Sequence, residues 1–205
     1  MISFFIRPGL IAAMVLSALI SVLSQTWEFA KEKDGIKLYT RKDPGKSIKS
    51  YKGTATIHAP AEKILAMLED VNHTEWWDKN VNYMKVIFYE KNKRALYHMV
   101  YDLPWPVTDR DLCVEAITAI DPVTGISTIT AIPLPSLVPE NKEMIRIRDY
   151  HQTWTVKPVG KDLTYVELEG YADPSGKIPD WLSNMLIVDS PFTVISNVKI
   201  KMEKK

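Results

Sequence analysis

Cysteine is almost missing from this chain: Cys113 is the only one in 205 residues, so no intrachain disulfide can form. With apolar neighbours on both sides, it reads as a small buried side chain of a strand. An excess of either charge is missing too. The 26 Lys and Arg residues face 25 Asp and Glu, a formal net charge of +1, and no basic stripe is present, so there is no electrostatic case for nucleic acid. The four histidines, His58, His73, His98 and His151, are scattered without metal-ligand spacing, and no metal site is expected. No Ser elbow, P-loop or HExxH motif occurs, so neither a catalytic residue nor a cofactor is assigned. Beyond residue 30 there is no internal repeat, low-complexity tract or linker. The length then suits one domain around one core.

What is present changes character at the N-terminus. Arg7 is the sole charged side chain of residues 1–24, and Leu10 to Leu23 is apolar except for two serines. A positive residue ahead of an apolar run shorter than the roughly 20 residues of a spanning helix reads as a signal peptide. Val22 and Ser24 are small enough to precede a cleavage site. The expectation is a signal peptide at 1–24 and a domain at 25–205, formally neutral without Arg7, exported to the periplasm or the medium. Phe4, Phe5 and Ile6 lengthen the apolar segment, and the alternative is an uncleaved anchor formed by residues 1–23.

Periodicity marks the elements. Ile36 to Arg41 and Ile48 to Ile57 read as a strand pair around the turn Asp43-Pro44-Gly45. Pro60 suits the first turn of a helix, whose buried face would carry Ile64, Met67, Leu68 and Val71. Four strands follow as a meander, at about Tyr83 to Glu90, Ala95 to Tyr101, Leu112 to Ile120 and Ile126 to Ile132. A loop with Pro133, Pro135 and Pro139 leads to a strand from Met144 to Lys157. Its apolar phase shifts near Asp149, as at a bulge. Leu163 to Ala172 completes the sheet. Trp181, Met185, Val188, Phe192 and Ile195 then recur at four- and three-residue spacing, the stripe of one C-terminal helix, with an interruption expected at Asp189 to Pro191.

Three motifs stand out on this frame. In Asp102 to Val114, DLPWPVTDRDLCV, two prolines hold Trp105 in a turn beside Asp109, Arg110 and Asp111. The run His58 to Asp78 opens a helix at Ala59-Pro60-Ala61 and closes on Trp76-Trp77-Asp78. About 70 residues after the proline turn comes Asp173 to Leu182, DPSGKIPDWL. Together these resemble the StAR-related lipid-transfer (START) domain of the helix-grip superfamily, in a bacterial-type exported member, over roughly residues 27 to 200. The resemblance implies an α+β, helix-grip fold. In it a curved antiparallel sheet wraps a long C-terminal helix and encloses a hydrophobic cavity for one lipid, gated by that helix and the Pro104 to Pro106 turn.

The resemblance assigns ligand contacts to Trp77, Asp78, Tyr97, Met99, Trp105, Arg110, Tyr150, Trp154, Trp181 and Met185. Trp105 is also suited to a transient contact with a membrane interface. Arg110 is assigned either to a lipid head group or to an ion pair with Asp109 or Asp111. Phosphatidylcholine-binding members carry an arginine four residues before the Asp of the "WD" motif and an aromatic in the strand before the proline turn. This chain has Thr74 and Met99 there, which argues against a choline cage with a phosphate fork. The expected protein is a monomeric, non-enzymatic carrier of a lipid or other hydrophobic molecule. The rivals are a helix-grip cyclase or dehydratase of a polyketide-like substrate, using Asp78 and His98, and a membrane-tethered interaction module.

Overall fold

The computed structural model describes residues 26–73, 77–78, 80–176 and 178–204. The expectations for residues 1–24 and for Thr74 concern positions outside the described residues. In chain order the elements are β1 (Glu28–Lys33), β2 (Ile36–Arg41), β3 (Ser50–Ile57), α1 (Ala61–Leu68), β4 (Val81–Glu90), β5 (Arg94–Tyr101), β6 (Arg110–Ile120) and β7 (Ser127–Pro133). They continue with β8 (Ile145–Arg146), β9 (Tyr150–Gly160), β10 (Leu163–Ala172), α2 (Asp180–Asn184), a π-helical stretch (Met185–Asp189) and α3 (Ser190–Glu203). Among them no helix is long and apolar enough to cross a membrane.

Ten strands form one curved sheet in the order β1-β2-β3-β10-β9-β7-β6-β5-β4, antiparallel throughout except where the short β8 runs parallel to β6. This is the α+β, helix-grip architecture expected from the sequence. Alternation sets the inner face. In β10, Val166 and Leu168 are buried while their neighbours are less so, and in β5 Tyr97 and Met99 are buried with His98 between them only partly so. Two core clusters result. One joins β2, β3, β9 and β10 to Ile64 and Leu68 of α1 and to Ile195 and Val198 of α3. The other joins β5, β6 and β7 to Ile147 and Tyr150. Trp77 and Ile129 pack against both.

The helix lies directly on the sheet at Gly53, where a Cβ would stand 2.3 Å from Cδ1 of Ile195. Only glycine leaves room for that approach.

Two regions depart from the sequence expectation. The strand expected from Met144 to Lys157 is broken in two: after β8 the chain leaves the ladder and re-enters at Tyr150 as β9. The phase shift near Asp149 therefore marks a change of strand partner, β6 for β8 and β7 with β10 for β9. β1, with the sequence EFAKEK, was not anticipated, because an exposed edge strand shows no apolar alternation.

The C-terminal helix is interrupted one turn earlier than expected. Ser190 N–H reaches back to the Met185 carbonyl, a wide turn just ahead of Pro191. A proline ring clashes with the carbonyl four residues earlier, and a π-turn relieves that clash by widening the helix there. The consequence is a rotated stripe. Leu182, Ile195 and Val198 are fully buried, while Trp181 stays 46% exposed.

Candidate functional site

The two core clusters do not close on each other. Between them lies a cavity of about 130 Å³, bounded by the inner face of the sheet, the end of α1 and the C-terminal helix. That is space for about four waters, at roughly 30 Å³ each. From the helical side Leu186, Ser190 and Val194 reach it, and from β7 and β9 come Ile129, Ala131 and Trp154.

Six of the ten residues named from the sequence line this space: Trp77, Asp78, Tyr97, Met99, Tyr150 and Trp154. Four do not. Trp105 is 92% exposed at the tip of the β5–β6 turn, where Val107 N–H closes on the Pro104 carbonyl at 3.1 Å and Leu103 N–H on Asp109 Oδ1 at 2.9 Å. Trp181 and Met185 are not on the cavity wall, where Leu186 stands instead, and Met185 Sδ lies 3.6 Å from the Asn80 amide that also holds Asp78.

Arg110 is the fourth, and its role changes. It is buried, and its guanidinium donates to the carbonyls of Pro174 at 3.1 Å and Ser175 at 3.3 Å and to that of Thr108. It is not the ion-pair partner of Asp111, and it borders a small hollow of about 40 Å³ beside the main cavity, which Tyr101, Tyr150 and Leu186 also line. Instead it ties the proline turn to the DPSG turn. The latter is shaped by Ser175 N–H donating to Asp173 Oδ1 at 2.7 Å and by positive φ at Ser175 and Gly176. The two separated motifs are thus parts of one physical junction.

The partner of Asp111 is Arg146, which sequence reasoning missed. Nε and Nη2 of Arg146 meet the two carboxylate oxygens at 2.9 and 2.6 Å, and His98 Nε2 lies 2.9 Å from Oδ2. Arg146 also donates to the carbonyls of Pro135, Val138 and Pro139, which pins the proline-rich loop against β6. Burial alone would raise the Asp111 carboxyl. Hydrogen bonds from Arg146 and His98 outweigh it and hold the group below the usual carboxylate range. The only available signal was an arginine next to an apolar residue on each side, Ile145 and Ile147, in a stretch expected to be strand. Its carboxylate is 35 residues away in sequence.

His98 alternates with Tyr97 and Met99 and so faces away from the cavity. Of the two residues offered as acid or base for an enzyme, Asp78 lines the cavity and His98 does not. Cys113, fully buried on the same side as His98, has its thiol pushed up by that burial.

Several of the polar groups lining the cavity are phenols. The Tyr150 hydroxyl donates to Gln152 Oε1 at 2.8 Å, and Gln152 Nε2 donates to the Tyr51 oxygen at 3.2 Å. Tyr97 and Tyr101 stand nearby, with Trp77 edge-on to Tyr97 at 5.6 Å between ring centres. Burial pushes the hydroxyls of Tyr51, Tyr97, Tyr101 and Tyr150 well above the ordinary tyrosine value. At any physiological pH they are uncharged hydrogen-bond donors.

A curved sheet gripping one C-terminal helix over an aromatic-lined hollow defines a class, and comparison with known proteins agrees with it. The START domain family matches residues 10–199, and the chain belongs to that family. It is 30% identical over 200 residues to an uncharacterised protein of Pseudomonas aeruginosa, covering 98% of each chain. It is 26% identical over 163 residues to the phosphatidylcholine transfer protein of Rattus norvegicus, covering 77% of this chain and 75% of that one. Among solved structures, the STAR-related lipid transfer protein of Xanthomonas axonopodis superposes with a TM-score of 0.77 at 26% identity, over 87% of this chain and 99% of that one. An aromatase/cyclase of Streptomyces shares the fold alone, with a TM-score of 0.51 at 14% identity over 75% of this chain and 93% of that one.

Proposed function

We propose that the protein is an exported, monomeric carrier that binds one lipid or comparable hydrophobic molecule in the cavity between sheet and C-terminal helix. In this reading it releases the molecule during a transient membrane contact. The observation that carries the reading is the cavity itself, a hollow of about 130 Å³ in the middle of the fold, walled by aliphatic and aromatic side chains. Each methylene moved there from water contributes about 0.8 kcal/mol, so an acyl chain needs no covalent chemistry to be held. The names of relatives, a phosphatidylcholine transfer protein and a STAR-related lipid transfer protein, support the same class of cargo.

A gate is proposed at the junction of the Pro104–Pro106 turn with the C-terminal helix. The π-turn beside Leu186 supports it, because such turns interrupt the regular ladder and cluster at functional positions. Trp105, projecting into solvent, is the proposed membrane contact. A carrier is favoured over a cyclase-type enzyme because His98 is engaged with Asp111 outside the cavity, leaving Asp78 without a histidine partner there.

Native mass spectrometry of the purified protein, followed by organic extraction, tests the proposal. A co-purifying lipid at one per chain, or uptake of one from vesicles, is the expected result. A protein that carries nothing and accepts nothing would end the reading.

A further inference from the structure

Among the described residues the cavity is poor in cations and holds two phenols without hydrogen-bond partners. Four carboxylates line it, Glu69, Asp70, Asp78 and Glu90, against a single guanidinium, Arg94, among the described residues. Arg94 is 46% exposed and paired with Glu115 at 2.7 Å, at the hairpin end of the cavity. The carboxylates are already engaged. Glu69 accepts from Thr118 at 2.5 Å and from Asn92 N–H at 3.3 Å. Asp70 accepts from Asn72 N–H and lies beside His73, Glu90 accepts from Lys93, and Asp78 accepts from the Asn80 amide at 2.7 Å.

Tyr97 and Tyr101 differ from all of these. Tyr97 is 93% buried by the measure of its 7% exposure, and among the described residues no protein group hydrogen-bonds to its hydroxyl or to that of Tyr101. Their hydroxyls open onto the hollow, so an oxygen-bearing ligand there gains hydrogen bonds that the protein itself does not supply. These two face a hollow large enough for a ligand and stand next to the Tyr150, Gln152 and Tyr51 chain, whose members satisfy one another.

We propose that Tyr97 and Tyr101 are the recognition point for an uncharged, oxygen-bearing head group, so that the cargo is an amphiphilic alcohol, ester or acylglycerol and not a phospholipid or fatty-acid anion. The inference rests on the carrier reading above and sharpens its ligand class. A phosphate or carboxylate brought to this point would be a buried anion with carboxylates for company, a costly arrangement. The one buried cation nearby among the described residues, Arg110 in the small adjoining hollow, already donates to the carbonyls of Thr108, Pro174 and Ser175. An ether, ester or hydroxyl oxygen accepts from both phenols and carries no charge to desolvate. The aliphatic and indole surfaces of Met99, Ile129, Val194 and Trp154 then cover the chain.

Three probes with the same oleoyl chain separate the possibilities: monooleoylglycerol, oleoyl lysophosphatidic acid and oleoyl lysophosphatidylcholine, each competing with a fluorescent fatty reporter. Monooleoylglycerol is expected to displace the reporter at least tenfold more effectively than either phosphate-bearing probe. Tyr97→Phe and Tyr101→Phe, which remove only the hydroxyls, are each expected to weaken monooleoylglycerol about 3- to 10-fold. Neither substitution is expected to lower the melting temperature, since no protein hydrogen bond among the described residues is lost. Equal or tighter binding of either phosphate-bearing probe, or full monooleoylglycerol affinity in both Phe variants, overturns the head-group assignment while leaving a lipid carrier in place. If the reporter itself does not enter the wild-type protein, the carrier reading fails as well.

Discussion

Single side chains decide how this fold is held and where its polarity is spent. Arg146 is the clearest case, since one guanidinium meets both oxygens of a buried carboxylate and three loop carbonyls. Removing one partner of such a pair leaves an uncompensated buried charge. Arg146→Leu is therefore expected to cost about 3–5 kcal/mol in urea unfolding, and the double variant with Asp111→Asn should recover part of it. The same pair predicts a pH response. The Asp111 pKa is lowered by folding, so its contribution to stability is complete above the unfolded value of about 4 and disappears as pH falls through the folded one. Melting curves from pH 6 to pH 2 should show a steeper acid loss for wild type than for Asp111→Asn. Parallel curves would remove Asp111 from the acid-sensitive groups.

At the scale of elements, the contact of α3 with β3 fixes the roof of the cavity. Ile195 fills the space that a side chain at Gly53 would need. Gly53→Ala is expected to destabilise by about 1–3 kcal/mol through overpacking. Ile195→Val, which lacks the offending Cδ1, costs about 0.5–1.5 kcal/mol alone. A double-mutant cycle should return less than the sum of the two; strict additivity would mean that the helix does not bear on Gly53 as described. The boundaries of β2 and β10 were legible because their flanking turns and alternation agree, as in the hairpin closed by Lys46 N–H to the Asp43 carbonyl at 3.3 Å. The face of the C-terminal helix was not. A stripe drawn at ideal α spacing through Trp181 and Met185 ignores the residue that the π-turn absorbs before Pro191.

For the whole molecule, the separation between core and surface aromatics makes a functional forecast. Trp105 makes no core contact of the kind that Trp154 makes, and it projects from the turn. Trp105→Ala is expected to change stability by no more than about 0.5 kcal/mol, as for an exposed position. It should slow lipid exchange between vesicles severalfold, measured by fluorescence dequenching. Unchanged exchange would dissociate the turn from membrane contact.

The amino-acid sequence by itself determined the class of fold, the order of most elements and the two motifs that meet at the proline turn. Those features depend on local backbone preference and on periodicity, which are written along the chain. It also supplied the aromatic wall of the cavity, because Tyr97, Met99, Tyr150 and Trp154 sit at inward-facing positions of strands. Only the tertiary structure decided which polar groups pair. Arg110 turned from a candidate head-group contact into a clamp on Pro174 and Ser175, 64 and 65 residues on, and Arg146 took the carboxylate that adjacency had offered to Arg110. A buried charge takes whichever partner lies in reach through space, and sequence neighbours on a strand point to opposite faces. For the same reason the cavity, and the two phenols that face it without a hydrogen bond from the described residues, come from packing at a distance and not from the order of residues.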